Sequence, residues 1–312
     1  MEKEMHINAE EAFASYPSRE DIDAWALALH KRSEAISVSG CVLEHSPITE
    51  SFGNSANTLQ NRYIRFTTGE GRCFYGYWQP AMKLPAPLLI NLPGYGAYMT
   101  MHPQLCDDGY NILHISPLGY VTAEGLDKSR RQPDGNLPVL VNTAKGLSGG
   151  YEDWLTDCLL AVRWALSQPE ALPDRLSFFG MSQGGGAALL LASILNDRTR
   201  CVCADLPFLT GFPMTGLRGD AYGMLSETYT LTEKNGFWRR MGYFDTISHA
   251  HRLKMPVMLG AGGKDDVCPG ETVKALFDKL PGTKQFTYLQ NGVHTHSRES
   301  MVLYRAWMGL FA

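Results

Sequence analysis

The chain has 312 residues, 44% of them hydrophobic, which suffices for one large α/β domain with a sizeable core. The formal net charge is only −4, and the sequence has no Lys/Arg stripe or basic patch interleaved with aromatics, so nucleic acid is excluded as an expected partner. No apolar run reaches transmembrane length, so no membrane partner is expected either.

The N-terminus and the cysteines both favour a cytoplasmic location. The first residues are partly acidic, where a signal peptide needs a basic segment followed by an apolar one. The seven cysteines are an odd number scattered through apolar segments, which is typical of reduced core thiols rather than of a disulfide framework. Cys201 and Cys203 lack the spacing of a redox or zinc motif and are expected to lie in a strand core.

A helix is predicted near the N-terminus. Ser18 and Asp21 form a capping-box pattern ahead of apolar residues at helical spacing, beginning at Ile22. We expect this helix to pack on the edge of a sheet, as part of an N-terminal extension over residues 1–58.

An antiparallel hairpin is predicted next. Residues alternate over Leu59 to Thr68 and over Cys73 to Trp78, and Gly69-Glu70-Gly71 separates the two runs.

The rest of the chain alternates short apolar runs with helical patterns, which is typical of buried parallel strands joined by crossover helices. The apolar runs are 88–92, 112–115, 176–179, 201–204, 257–259 and 286–289, and the helical patterns include 154–166, 187–195 and 273–280. Two stretches interrupt this order and are predicted insertions, residues 119–150 and 212–238. Sequence leaves open whether they are lids, interface arms or disordered segments.

A serine lies at the apex of a predicted strand, tight turn and helix. Gly180-x-Ser182-x-Gly184 follows the apolar run at 176–179 and directly precedes the helical pattern. A nucleophilic serine must project its Oγ from a sharp turn with no room for side chains two residues before and after it, and glycines supply that room. The context predicts Ser182 as the nucleophile of a single-domain α/β-hydrolase fold.

A serine nucleophile needs a histidine base and a carboxylate that orients the base. In α/β hydrolases these follow the serine in the order acid, then histidine. Asp265 and Asp266 follow a predicted strand, and His294 and His296 precede the final helix. Neighbouring residues point in different directions, so one member of each pair is expected to be structural. Position favours Asp265 and His294.

The other histidines have ordinary interpretations. His114 is expected to be a satisfied residue at a strand end, and His249 and His251 are expected to be solvated. No histidine pair has a persuasive metal-ligand spacing, so we expect no metal and no cofactor.

The oxyanion hole requires two backbone N–H groups directed at the developing charge. One is expected from Gln183, directly after the nucleophile. The other is expected from Tyr95 in Pro93-Gly94-Tyr95-Gly96, whose ring would then wall the acyl pocket. The alternative for this segment is an ordinary tight turn.

Four segments together carry a resemblance. They are Gly-Met-Ser-Gln-Gly-Gly at 180–185, Asp-Leu-Pro-Phe-Leu at 205–209, Tyr-Phe-Asp at 243–245 and Asp-Asp-Val-Cys-Pro at 265–269. These segments resemble the acetyl xylan esterase and cephalosporin C deacetylase group, carbohydrate esterase family 7, from about Ala86 to the C-terminus. The resemblance implies Asp265 as the acid, three residues before Cys268-Pro269, and His294 as the base. It also matches Gly94-Tyr95 to the family's oxyanion loop.

The resemblance further implies a homo-oligomer, since family members tend to form toroidal hexamers whose active sites face an inner cavity. Such a cavity admits small acetylated sugars and excludes polymers. The chain departs from the family at two places. Ser-Pro-Leu-Gly-Tyr at 116–120 replaces Asp-x-Arg-Gly-Gln and keeps only the glycine, and Thr295 replaces the usual Glu after the base.

The sequence thus predicts a cofactor-independent serine esterase that removes small acyl groups, foremost acetyl, from sugars or similar small hydroxyl compounds. Ser182 attacks, His294 transfers the proton, Asp265 orients the histidine, and the N–H groups of Tyr95 and Gln183 hold the oxyanion. One alternative is a lactone or antibiotic-ester hydrolase of the same fold. An alternative of another class is a catalytically silent small-molecule binder, which has no need of an exposed, strained serine.

Overall fold

The structure is a computed structural model that describes residues 8–44, 61–96, 98–99, 101–122, 125–132, 136–214, 219–231 and 236–312. The strands are β1 Val38–Val42, β2 Arg62–Thr68, β3 Cys73–Gln79, β4 Ala86–Leu92, β5 Asn111–Ser116, β6 Val121–Thr122, β7 Gly125–Leu126, β8 Ala171–Met181, β9 Thr199–Asp205, β10 Val257–Gly262 and β11 Lys284–Leu289. The helices are α1 Ala9–Ala14, α2 Arg19–Ala35, α3 Pro103–Asp107, α4 Val139–Lys145, α5 Tyr151–Leu166, α6 Gln183–Ile194, α7 Asp220–Leu231, α8 Phe237–Gly242, α9 Gly270–Lys279 and α10 Arg298–Phe311.

Within the described ranges, nine strands form one sheet in the order β1-β2-β3-β5-β4-β8-β9-β10-β11. The strands β5, β4, β8, β9, β10 and β11 are parallel, and the hairpin of β2 and β3 joins them in antiparallel fashion. The prediction of a mostly parallel sheet flanked by helices is confirmed. Because these six strands run the same way, the residues after their carboxyl ends meet along one edge of the sheet.

Alternating residues of the central strands enter two separate cores. Phe178 and Val202 pack in a core shared with α2, α5 and α6, whereas Phe179, Cys201 and Cys203 pack with α3 and α10. Both cysteines are fully buried, as predicted for a strand core. Burial on both faces explains why these strands appear in the sequence as continuous apolar runs.

The predicted N-terminal helix is present as α2, and its capping box is formed. Ser18 Oγ accepts the amide N–H of Asp21, while the Asp21 carboxylate accepts the amide N–H of Ser18. The expectation that this helix packs on a sheet edge was wrong, since it packs on α5 and α6. Its buried residues Ala26 and Leu29 belong to the same apolar core as residues of α5 and α6.

The two predicted insertions contain regular structure in their described parts. Residues 119–150 include the two-residue strands β6 and β7 and the helix α4, and residues 212–238 include α7 and the start of α8. α4 packs on α5, α7 and α8, so the two segments cover the same side of the molecule. The start of the predicted hairpin, residues 59–60, lies outside the described residues. No described helix has both the length and the apolar character needed to cross a bilayer.

Candidate active site

Ser182 occupies a strained turn between β8 and α6, with φ 56° and ψ −127°. A non-glycine residue in this region costs of order 1–3 kcal/mol and persists only where its surroundings impose it. A Cβ on Gly180 would overlap the carbonyl of Gly184, and a Cβ on Gly184 would overlap the carbonyl of Leu92. The predicted strand, turn and helix are therefore present, and the two flanking glycines are required by close backbone approach.

The segment after β9 holds this turn in place. Ser182 N–H donates to the carbonyl of Asp205 at 2.9 Å, and Phe208 N–H donates to the carbonyl of Ser182 at 2.9 Å. Leu206 and Leu209 have φ values of 48° and 60°, so the Asp-Leu-Pro-Phe-Leu segment is itself tightly turned. Hydrogen bonds to both the N–H and the carbonyl group of Ser182 thus hold the strained residue in place.

Asp265 and His294 form a hydrogen-bonded pair. Nδ1 of His294 lies 2.8 Å from Oδ2 of Asp265. The other carboxylate oxygen accepts the N–H groups of Val267 at 2.8 Å and Cys268 at 2.7 Å. Asp265 is fully buried, whereas Asp266 is exposed. The geometry fits an imidazole whose tautomer and orientation are set by a fixed carboxylate.

His296 forms a second pair of the same kind with Asp205. Its Nδ1 lies 2.8 Å from Oδ2 of Asp205, and Oδ1 of that carboxylate accepts the hydroxyl of Tyr304 at 2.7 Å. Sequence reasoning missed this pairing, although Asp205 is an acid at the carboxyl end of a buried strand. That position was the available signal.

Ser182 lines the same cavity as both imidazoles, but among the described residues its hydroxyl makes no hydrogen bond to either of them. The hydroxyl instead interacts with the thiol of Cys268. Burial raises the pKa of that thiol and the interaction with Ser182 acts against the rise. Contacts between nucleophile and base are often long without substrate and shorten in the Michaelis complex. The roles of Ser182, Asp265 and His294 remain predictions.

The two residues expected to form the oxyanion hole are both fixed by their side chains. Gln183 begins α6, so its N–H has no acceptor within the helix, and its Oε1 accepts the hydroxyl of Tyr151 at 2.7 Å. The Tyr95 hydroxyl donates to the carbonyl of Leu137 at 3.1 Å and accepts the Leu137 N–H at 2.9 Å. The ring of Tyr95 is therefore anchored to the 119–150 segment.

The cavity that contains these groups has a volume of about 460 Å³. The 212–238 segment contributes to it through α7, with Asp220, Ala221 and Met224. Three aromatic residues of that segment are buried in the core and do not line the cavity, namely Phe212, Tyr222 and Phe237.

Three other histidines were interpreted from sequence. His114 is buried between Asn91 and Gln79 and satisfied by both, as expected. The expectation of a solvated His249 was wrong, because this side chain is fully buried and bonded to Ser193 at 2.8 Å. Burial lowers the pKa of His249 to about 4. His251 is half-buried beside an aspartate.

The parallel sheet, the strained serine turn and the carboxylate-held histidine at one sheet edge define an α/β hydrolase. Residues 66–304 match the family model described as acetyl xylan esterase, AXE1. The chain belongs to the acetyl xylan esterase family.

Individual relatives agree with this placement. Acetyl esterase Axe7A of Xylanibacter ruminicola is 26% identical over 157 residues, which cover 48% of this chain and 34% of that protein, so the match spans about a third of the relative's length. Acetyl xylan esterase 1 of Thermoanaerobacterium sp. JW/SL YS485 has a TM-score of 0.75 at 20% identity and covers 94% of both chains. The acetyl xylan esterase of Paenibacillus sp. R4 has a TM-score of 0.72 at 19% identity and covers 97% of this chain and 99% of its own. At these identities the two structures establish a shared fold.

Proposed function

We propose that this protein is a cofactor-independent serine esterase that removes small acyl groups, foremost acetyl, from sugars or similar small hydroxyl compounds. The observation that carries the proposal is the strained Ser182 in a cavity beside an imidazole that a buried carboxylate orients. Membership in the acetyl xylan esterase family supports the acetyl group and the ester class.

In the proposed reaction, Ser182 Oγ attacks the ester carbonyl carbon while His294 Nε2 accepts the hydroxyl proton. Asp265 stabilises the resulting imidazolium through Nδ1. The N–H groups of Tyr95 and Gln183 stabilise the oxyanion. The ester C–O bond then breaks, and His294 returns the proton to the departing alcohol. Water repeats the sequence on the acyl-enzyme, which releases acetate and restores Ser182.

A catalytically silent binder is the competing class. The strained serine argues against it, because a binding protein gains nothing from the conformational cost of the turn. Only an activated serine reacts with a fluorophosphonate probe, so labelling separates the two classes.

Ser182→Ala is the decisive variant. We expect kcat on an aryl acetate to fall by on the order of 10⁴-fold, with the thermal unfolding midpoint nearly unchanged, because the nucleophile is lost and little packing is. Fluorophosphonate labelling should disappear in this variant and persist in Ser129→Ala, whose side chain is exposed. Near-normal esterase activity in Ser182→Ala would refute the proposal.

We also propose a cytoplasmic location and a homo-oligomeric assembly. All seven cysteines are free thiols, as a reducing compartment maintains them. The assembly is carried over from the family resemblance. The native mass from light scattering tests the assembly, and a monomeric mass would contradict it.

A further inference from the structure

The catalytic cavity carries one exposed acid. Asp220 is the first residue of α7 and lines the cavity together with Ser182. Its backbone N–H donates to the carbonyl of Asp266 at 2.9 Å, but its carboxylate has no hydrogen-bond or ion-pair partner among the described residues. Because the side chain is exposed, this carboxylate is accessible to a ligand in the cavity.

An acid at this position also has an ordinary structural role. A carboxylate in the first turn of a helix is stabilised by the positive end of the helix dipole, and Asp220 is in the first turn of α7. That role affects the stability of the helix and does not discriminate between substrates. The structural role and a role in substrate selection therefore predict different results for substrates of different charge.

Two further carboxylates lie directly behind side chains of the cavity lining. Asp265 and Asp205 are buried, and they hold Nδ1 of His294 and of His296, respectively, at 2.8 Å. Among the described residues, these histidines are the only ion-pair partners of the two carboxylates. Salt screens buried charges much less than exposed ones, so the negative charge of both carboxylates acts on the cavity.

The described part of the lining offers no fixed positive charge to balance these acids. It contains no lysine and no arginine. Its third histidine, His102, is neutral at ordinary pH, because burial lowers its pKa to about 3. A cleft lined by charge of one sign raises the local concentration of ligands of the opposite sign. The electrostatic potential of the cavity therefore favours cations and disfavours anions.

The side chains near Asp220 suit an organic cation. Met224 follows Asp220 by four residues on α7, so the two lie on one face of the helix, and both line the cavity. Tyr98 lines the same cavity and is 60% exposed. Ammonium groups are attracted both to carboxylates and to the faces of aromatic rings. An organic ammonium group would thus find a charge partner and apolar contacts in this cavity.

We propose that Asp220 is a specificity-determining residue that selects esters by the charge of their alcohol half, with cations preferred over neutral groups and neutral groups over anions. This inference rests on the proposed esterase function and deepens it. The favoured substrates are acetyl esters of small amino alcohols or amino sugars. Their ammonium group lies near Asp220 while Ser182 attacks the acetyl carbonyl carbon.

The test compares three acetyl esters that share a two-carbon spacer and differ in the terminal group. Acetylcholine carries a trimethylammonium group, 3,3-dimethylbutyl acetate carries a neutral group of the same shape, and 3-acetoxypropionate carries a carboxylate. For the parent protein at low salt, we expect kcat/KM for acetylcholine to exceed that for the neutral ester at least about fivefold, chiefly through a lower KM. The carboxylate ester should be the poorest substrate.

Asp220→Asn removes the charge and keeps the shape of the side chain. We expect it to lower kcat/KM for acetylcholine about fivefold and to raise that for the carboxylate ester by a similar factor, as is typical of an exposed charge pair. The value for the neutral ester should change by less than about twofold. Glu227→Gln is the matched control, because it removes the same charge about two turns further along α7 and outside the cavity lining. It should change no value by more than about twofold.

The parent protein supplies an independent measurement. Raising the ionic strength from about 0.01 M to about 0.5 M should reduce the preference for acetylcholine over the neutral ester, because salt screens the exposed charge of Asp220. A preference that does not depend on salt would contradict the proposal. So would equal kcat/KM values of the parent protein for all three esters.

The variants separate charge selection from the structural role. A preference that Asp220→Asn leaves unchanged would overturn the proposal, and equal losses on all three esters would show that Asp220 only stabilises α7. Fluorophosphonate labelling of Ser182 reports whether each variant is folded. If Asp220→Asn does not label, Asp220→Glu decides together with the salt series, because it keeps the charge and should keep the preference. Failure of the esterase proposal itself has a different signature, namely activity that survives Ser182→Ala.

Discussion

His294 and His296 are two residues apart, and each is bonded through Nδ1 to a buried carboxylate at 2.8 Å. What distinguishes them is the position of the acid. Asp265 follows β10, two strands away from the serine strand β8, and Asp205 ends β9, which adjoins β8. Chain order and the family resemblance predict His294 as the base.

His294→Ala is therefore expected to lower kcat at least about 10³-fold on every ester, because the serine loses its general base. His296→Ala should leave kcat on 4-nitrophenyl acetate within a few-fold of the parent enzyme. Steady-state kinetics on that ester, with fluorophosphonate labelling as a check on the serine, measure both. An exchange of the two phenotypes would show that the base has been misassigned.

Tyr95 sets the expectation for acyl chain length. If its N–H holds the oxyanion, its ring lies close to the acyl carbon, and two hydrogen bonds to Leu137 prevent the ring from swinging aside. Each added methylene then clashes or forces repacking that costs roughly 1–3 kcal/mol. We expect kcat/KM to fall steeply from acetate to butyrate to octanoate esters of one phenol.

Tyr95→Phe is the matched variant, since it keeps the ring and removes both bonds to Leu137. It should flatten the decline with chain length while retaining acetate hydrolysis. An apolar channel built from the 212–238 segment would instead favour long acyl chains, but Phe212, Tyr222 and Phe237 of that segment are buried in the core. A kcat/KM that rises with chain length would favour that channel and a lipase-like enzyme.

The turn that carries Ser182 is held by close backbone contacts of its flanking glycines. A Cβ on Gly184 would overlap the Leu92 carbonyl, which belongs to a central strand and cannot move. Gly184→Ala should therefore lower both the unfolding midpoint and the labelling of Ser182. In Gly309→Ala on α10 the new Cβ meets no described atom within 4 Å apart from its own helix backbone, so the variant should stabilise the protein by up to about 1 kcal/mol through helix propensity. Equal behaviour of the two variants in thermal unfolding would contradict this explanation of the turn.

Sequence predicted the elements whose signals are local. The serine turn, the Ser18 capping box and the buried parallel strands depend on residues that are adjacent or at a regular spacing, so their patterns survive without tertiary information. The strand β1 was not predicted, because Val38–Val42 lies at the sheet edge, has no buried residue and lacks a clear alternation of apolar and polar residues.

Pairings between distant segments could not be predicted in the same way. His296 and Asp205 are 91 residues apart, and the sequence around either residue contains no signal that predicts the pairing. The burial of His249 has the same origin, since it depends on Ser193 of α6 and on the aromatic ring of Trp25 in α2. The sequence thus predicted candidate polar side chains at strand ends. Which of these side chains form hydrogen bonds with each other depends on the order of the strands in the sheet.

The segment at residues 116–120 is tied into the fold by a buried carboxylate. Leu118, with φ 60°, donates its N–H to Asp157 at 2.9 Å, and Arg72 lies 2.6 Å from the other oxygen of that carboxylate. Burial raises the pKa of Asp157 to about 7, against the opposing influence of Arg72. Asp157 and Arg72 therefore hold residues 116–120 in place.

On the scale of the whole molecule, folding buries several histidines in neutral form. Burial lowers the pKa of His102 to about 3 and of His249 to about 4, and it lowers the pKa of His114 well below its usual value. In the unfolded chain each would titrate near 6.5. The unfolded state thus binds more protons below that pH, and the stability that depends on neutral histidines is lost as the pH falls. Asp157 and Asp245 have pKa values raised by burial and act in the opposite direction.

The buried histidines and aspartates change the stability in opposite directions as the pH falls. The contribution of one histidine is therefore best measured as the difference in stability between the parent protein and a variant that lacks it. Between pH 7.5 and pH 5, His249 should cost the parent protein about 2 kcal/mol of unfolding free energy, from an unfolded pKa near 6.5 and a folded one near 4. His249→Gln lacks this titration, so its deficit in stability relative to the parent should shrink by that amount over the same pH range. Ser193→Ala is the control, because it removes a hydrogen bond at 2.8 Å but keeps the buried imidazole, and its deficit should be nearly constant with pH. Urea unfolding at both pH values measures the differences. A deficit of His249→Gln that stays constant would mean that the imidazole has the same pKa in the folded and the unfolded protein, as it would if it reached water.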